Sequence, residues 1–165
     1  MKNMLQKQLE EKRLLHGIDY VEQEAQGIKR LDSNELAHLN KILTGDTEDP
    51  WRFEAAEVKI PSGKVHQFNV VSNPVHVARD VIGNALLIAG NGDAVEAAFR
   101  LYSQLILQHV FRDANRRTAA IATLWLLLLQ DKSIDAKALA EMSVGDLRES
   151  EDMSALKKKF VKLIK

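Results

Sequence analysis

Apolar residues recur at helical spacing through most of this chain. In residues 3–30, Leu5, Leu9, Ile18 and Val21 stand among Lys, Glu and Gln, which predicts an amphipathic helix interrupted at Gly17. Asp32 caps a second helix, with Glu35 three positions on as the return partner of a capping box. Leu36, Leu39, Ile42 and Leu43 form its buried stripe, and Gly45 stops it. A polar loop over residues 46–56 holds Pro50, Trp51, Arg52 and Phe53. There the period drops to two: Val58 and Ile60 alternate with polar residues, Pro61-Ser62-Gly63-Lys64 supply a turn, and Val65, Phe68 and Val70 follow. A lone hairpin is marginal, so this one must lean on the helical body. Asn73-Pro74 opens a helix with Val77, Val81 and Ile88 as its apolar positions, closed by Gly90-Asn91-Gly92. Asp93 and Glu96 make another capping box, ahead of Val95, Phe99, Tyr102 and Ile106.

After a break at residues 109–113, residues 114–130 are apolar on every side. They are therefore expected to form the buried centre, packed by the preceding helix and by the one near 74–89. Asp135 opens a short helix, and a final helix near 152–164 carries Leu156, Phe160, Leu163 and Ile164. The pattern predicts an all-α helical bundle around a buried central helix, with a small β-hairpin, in a single domain over residues 1–165.

Composition narrows the chemistry. The formal net charge is +0, so bulk charge argues for no nucleic-acid partner. There is no cysteine, which excludes disulfides and thiolate catalysis. The N-terminus is too charged for a signal peptide, and the longest apolar run, residues 119–129, is well short of the roughly 20 residues that span a bilayer. A cytoplasmic protein with no membrane partner is expected. Lys157, Lys158, Lys159, Lys162 and Lys165 would suit a membrane or nucleic acid, but a terminal helix docked by its apolar face with lysines in water is the plainer reading. His66 and His76 lack a third ligand for a metal site.

The informative stretch is His109-Val110-Phe111-Arg112-Asp113-Ala114-Asn115-Arg116-Arg117-Thr118. It delivers its last residues to the start of the apolar helix, where unpaired N–H groups and the helix dipole favour a phosphate. Arg116 and Arg117 add donors suited to phosphate oxygens. Asp113 suits a Mg²⁺ ion that bridges phosphates, and His109 is the side chain here whose ordinary pKa suits proton abstraction near neutral pH. Taken singly, each has a plainer role: His109 as a satisfied polar residue, Asp113 as a helix cap, the arginines as a solvated face. The ordered combination points to phosphoryl or nucleotidyl transfer.

That combination resembles the signature loop of the Fic/Doc family, His-x-Phe-x-(Asp/Glu)-(Gly/Ala)-Asn-(Gly/Lys)-Arg, matched by His109, Phe111, Asp113, Ala114, Asn115 and Arg117. Residues 57–71, 93–108 and 114–130 fit the family's hairpin flap, its helix leading into the motif and its buried helix. The family core would then cover residues 33–130, with a helical extension over 1–31 and further helices over 131–165. The resemblance implies a protein adenylyltransferase or a Doc-like protein kinase. His109 would be the base, and Asp113 would bind Mg²⁺ on the phosphates of ATP or another nucleoside triphosphate. Ala114, Asn115, Arg116 and Arg117 would form the phosphate site.

It also implies that Val58, Lys59, Ile60, Pro61, Ser62, Gly63, Lys64, Val65 and His66 form a flap that holds the target protein by strand addition. Three positions depart from the Fic pattern. Val110 replaces a common Pro, Arg116 replaces Gly or Lys, and Ala120 stands where many AMP-transferring members have a second Arg. The first and third resemble the Doc branch, in which the nucleotide is reversed and the terminal phosphate moves. These departures also feed an alternative, a non-catalytic member that binds nucleotide or protein. The family's inhibitory motif finds only Thr44-Gly45-Asp46-Thr47-Glu48-Asp49, a poor match in a loop, so any inhibition is expected from a separate antitoxin.

Overall fold

A computed structural model describes residues 2–69 and 72–165. The elements run α1 (Met4–Gln26), α2 (Ser33–Thr44), β1 (Ala56–Lys59), β2 (Val65–Phe68), α3 (Pro74–Gly90), α4 (Ala94–Gln108), α5 (Asn115–Leu128), α6 (Ala136–Glu141) and α7 (Ser150–Lys162). The fold is a helical bundle with one two-stranded antiparallel hairpin, as expected.

Several helix starts are built from Asp and Asn side chains, while α5 and α7 have no side-chain cap. Asp32, Asn73, Asp93 and Asp135 each accept a hydrogen bond from the N–H three residues on. The return bond of the expected capping boxes is not made. Glu35 instead accepts from the Tyr20 hydroxyl and pairs with Lys29, while Glu96 binds Arg100 and Lys157. Gly45 ends α2 in the left-handed region at φ 71, as the sequence requires.

Every residue of α5 from Thr118 to Leu127 is buried. Its hydroxyl groups are satisfied: Thr123 donates to the Ala119 carbonyl, and Thr118 accepts from Asn40 of α2. Around it pack α4, α1, α6 and α2. Helix α3 is not among its principal neighbours; it lies on α4 and α2, one layer out. The reason is visible in α3 itself. Its buried line is Ala78, Ile82, Ala85 and Ala89, three of them alanines that allow close approach to α4, and the expected Val77, Val81 and Ile88 flank that line half-buried.

Gly17 does not interrupt α1. The helix runs through it because a Cβ there would meet Ile121 Cδ1 of α5 at 2.9 Å, so the missing side chain is what lets α1 lie against the central helix. Helix α7 begins at Ser150 and buries Leu156 and Phe160. Phe160 packs on Phe99 and Tyr102, and Lys158, Lys159 and Lys162 point to solvent. No helix among the described residues is long and apolar enough to cross a membrane.

The hairpin departs from its expected facing. Val65 is 53% exposed, while His66 is buried and Phe68 half-buried. The inward strand face is thus His66 and Phe68, one residue out of phase with Val65. The expected continuation at Val70 falls outside the described residues.

Candidate active site

The stretch 109–117 forms the floor of a cleft of about 1040 Å³. One wall is the hairpin, another is α6 with the loop that follows it, and a third is α1 through Glu10 and Leu14. The floor is held by three fixtures. The loop residue Trp51 pairs with Phe111 as an antiparallel bridge, with Arg52 N–H donating to the Val110 carbonyl at 2.8 Å, and the two rings stack at 4.7 Å. Asn40 donates to the Asp113 carbonyl at 2.8 Å. Asn115 clamps its own loop: Oδ1 accepts from Phe111 N–H at 3.0 Å and Nδ2 donates to the Phe111 carbonyl at 2.9 Å. Both polar atoms of that buried amide are therefore engaged by backbone. The Asn115 side chain thus fixes the loop from within, while Asn115 also lines the cleft at the first turn of α5.

His109 closes α4 in the left-handed region, φ 49 and ψ 55, which turns its ring out of the helix line. Its imidazole is half-buried beneath the Phe68 ring, stacked at 4.5 Å between centroids and 16° between planes. Its carbonyl accepts from Arg52 Nε at 2.6 Å. Burial first, and the Arg52 charge second, pull its pKa down from 6.5 to about 4 against a smaller opposing effect of Asp113. The ring is thus neutral across the physiological range and keeps a lone pair to accept a proton.

This depression has a consequence for stability. Below pH 6.5 the unfolded chain takes up a proton that the folded imidazole refuses until about pH 4, so acidification through that window favours unfolding. Urea denaturation at pH 7 and pH 4.5 should show wild type losing about 1–2 kcal/mol more than His109→Ala, allowing for the ring's partial exposure. Equal losses would mean that the ring is solvated in the folded state.

Helix α5 begins after Ala114, which sits at φ 59, and no side chain caps its first turn. Its leading N–H groups have no intrahelical partner, and residues 114–117 line the cleft. The Asp113 carboxylate is 78% exposed; one oxygen accepts from Ala114 N–H at 2.7 Å and lies 3.9 Å from Arg117 Nη2. The Arg117 side chain is mostly buried, which fixes its fork at the cleft. Arg116 reaches across to the Met142 carbonyl at the end of α6, so its guanidinium is anchored on the opposite wall. The site therefore brings together His109, Asp113, Arg116, Arg117 and the N-terminus of α5, with the hairpin residues Val58, Lys59, Ile60, Pro61 and His66 along one side. Ser62, Gly63, Lys64 and Val65 lie at the exposed tip, outside the cleft lining.

Three participants were not singled out from the sequence as part of the site. Arg52 is buried and donates to the carbonyls of His109, Glu54 and Asn69, joining both feet of the hairpin to the His109 backbone. Nothing in its loop distinguishes it from Arg112. Asn40 sits between Leu36 and Leu43 on the apolar stripe of α2, and a polar residue on that stripe was a usable signal. Phe68 carried only its hydrophobicity.

The family model described as Fic/DOC family matches residues 30–127, more than half of the chain. No curated protein matches this sequence. Among solved structures, a Fic-domain-containing signaling protein from Bacteroides thetaiotaomicron superposes with a TM-score of 0.66 at 21% identity, over 86% of this chain and 56% of that one. This chain thus spans little more than half of that protein's length. The N-terminal Fic domain of a VirB-translocated effector from Bartonella sp. AR 15-3 gives 0.58 at 19% identity, over 99% of this chain and 87% of that domain. At these identities the likeness is one of fold.

Proposed function

The chain belongs to the Fic/DOC family, and we propose that it transfers a phosphate-containing group from a nucleoside triphosphate to a hydroxyl side chain of a target protein. The observation that carries this reading is the meeting, in one cleft, of a neutral His109 with the uncapped start of α5, Arg117 and Asp113. Members of this family are in general transferases of AMP or other phosphate-containing groups, and this arrangement supports that chemistry here.

His109 takes the proton from the incoming hydroxyl as its oxygen attacks phosphorus in line with the leaving group. Attack at the α-phosphorus releases pyrophosphate and leaves AMP on the target; attack at the γ-phosphorus releases the nucleoside diphosphate and leaves phosphate. The N–H groups of the first turn of α5, with Arg117, hold phosphate oxygens in position. Asp113, a single exposed carboxylate at the cleft, would hold Mg²⁺ together with substrate phosphate oxygens and water, and the ion would neutralise charge on those phosphates. The negative charge of a bound nucleotide raises the proton affinity of His109 toward the value a base needs. An extended target segment would add along β1, since Arg148 covers the Gln67 carbonyl of β2.

Which phosphate moves turns on Arg116. We propose that its side chain, drawn to the Met142 carbonyl across the cleft, disfavours the usual AMP-transferring pose and favours a Doc-like one. Incubation with Mg²⁺, a cell lysate and ATP labelled separately at the α and γ phosphates separates the outcomes. Label from γ alone is the Doc-like result, and label from α is AMP transfer. No label from either would favour a binding module. Arg116→Gly bares the backbone and should raise α transfer relative to γ transfer by about tenfold. Efficient AMP transfer by wild type, unimproved in Arg116→Gly, would refute this role for Arg116.

A further inference from the structure

The hairpin is fastened to the body by a loop far away in sequence. Between α6 and α7, Asp146 is buried, and its carboxylate meets two hairpin residues: His66 Nε2 at 3.0 Å, without hydrogen-bond alignment, and Lys64 Nζ at 3.5 Å. The same carboxylate accepts from Arg148 N–H, and Asp146 N–H donates to Asp152 of α7 at 2.8 Å, so the aspartate is fixed from its own side. Arg148 reaches back over the strand. Its Nη2 donates to the Gln67 carbonyl at 3.1 Å, and its guanidinium lies 5.2 Å above the Phe68 ring. The Phe68 ring in turn stacks on His109 at 4.5 Å between centroids. A continuous series of contacts thus runs from Asp152 through Asp146 and Arg148 to Phe68 and ends on the imidazole.

We propose that Phe68, Asp146 and Arg148 are positioning residues for His109: the loop between α6 and α7 clamps the hairpin so that the Phe68 ring holds the imidazole in its working orientation. The proposal rests on His109 being the base, although the clamp itself is geometric. The imidazole has few other restraints. Its backbone is held by Arg52, but its ring makes no hydrogen bond among the described residues, so the stack is what limits its rotation. The hairpin is exposed at its tip and tied at its feet by Arg52, so its lean against the body is set by the Asp146 and Arg148 contacts. A base misplaced by an ångström loses rate without losing substrate.

The test uses the full chain at pH 7 and two readouts. The first is the NMR resonance of the His109 Cε1 proton, assigned by its loss in His109→Ala and displaced by the Phe68 ring current. Phe68→Ala should move it toward the position of a free histidine. Asp146→Ala and Arg148→Met, which do not touch His109, should move it the same way, while Phe68→Tyr, which keeps a ring, should not. Lys157→Gln, which loosens α7 elsewhere, is the control and should leave it in place. The second readout is transfer: kcat falls on the order of tenfold in the three disruptive variants, with nucleotide KM within about twofold of wild type. Should Asp146→Ala fail to fold, Arg148→Met at an exposed position carries the test. A resonance unmoved by Arg148→Met overturns the clamp, as does a kcat equal to that of wild type in a wild-type-active preparation. If wild type transfers nothing but the resonance moves as expected, the clamp stands and the transfer reading falls.

Discussion

His109→Ala abolishes transfer, with turnover reduced by about 10²–10⁴-fold, while nucleotide binding and the fold persist. The expectation follows from how little else the ring does. Its imidazole stacks on Phe68 and lines the cleft, and the bonds that organise the loop come from its backbone, not from its side chain. Alanine at this position keeps the same backbone bonds to Leu105 and Arg52. The phosphate-facing groups of α5 remain, so nucleotide affinity measured by calorimetry should stay within about threefold of wild type. Turnover unchanged in the variant would make His109 a structural residue and remove the base from the mechanism.

Arg52→Met should be the most damaging single change to stability near the site, about 2–4 kcal/mol by urea denaturation. Methionine fills similar space but donates nothing. Three carbonyls, those of His109, Glu54 and Asn69, then lose the donors that satisfy them. Arg52 is 2% exposed, so water cannot readily replace its guanidinium without opening the hairpin's base. The same substitution removes the positive charge that helps to hold His109 unprotonated, so the imidazole should titrate closer to its ordinary value. A loss below about 0.5 kcal/mol would show that solvent reaches those carbonyls in the variant.

Local signals were the ones the sequence made legible. Each helix start marked by Asp32, Asn73, Asp93 or Asp135 is realised by the side-chain bond that those residue types imply, because a cap involves only neighbours three positions apart. The buried α5 was legible for a related reason: a helix apolar on every side has nowhere to go but the centre. What escaped depends on partners remote in the chain. Gly17 reads as a breaker until Ile121 is known to lie against it. Val65 reads as the inward residue until Asp146 is found waiting for His66. In α3 hydrophobicity alone favours the larger valines as buried positions, whereas close packing on α4 selects the alanines. At the site, the order of the motif foretold which residues converge. It could not foretell that the Asn115 amide would close on Phe111, or that Arg116 would reach Met142.

The three-way hold of Arg52 has a kinetic side. It joins residues 52, 54, 69 and 109, so the feet of the hairpin cannot separate from the end of α4 without breaking several bonds at once. Amide protons there exchange with solvent only through large, cooperative openings. The tip at residues 61–63, beyond the Lys64 contact with Asp146, is exposed and held by a short turn, and its protons exchange through small local openings. The hairpin therefore carries two tiers of motion within a dozen residues: a base that moves with the whole domain, and a tip that can rearrange around an incoming chain while the base, and the imidazole beside it, hold still.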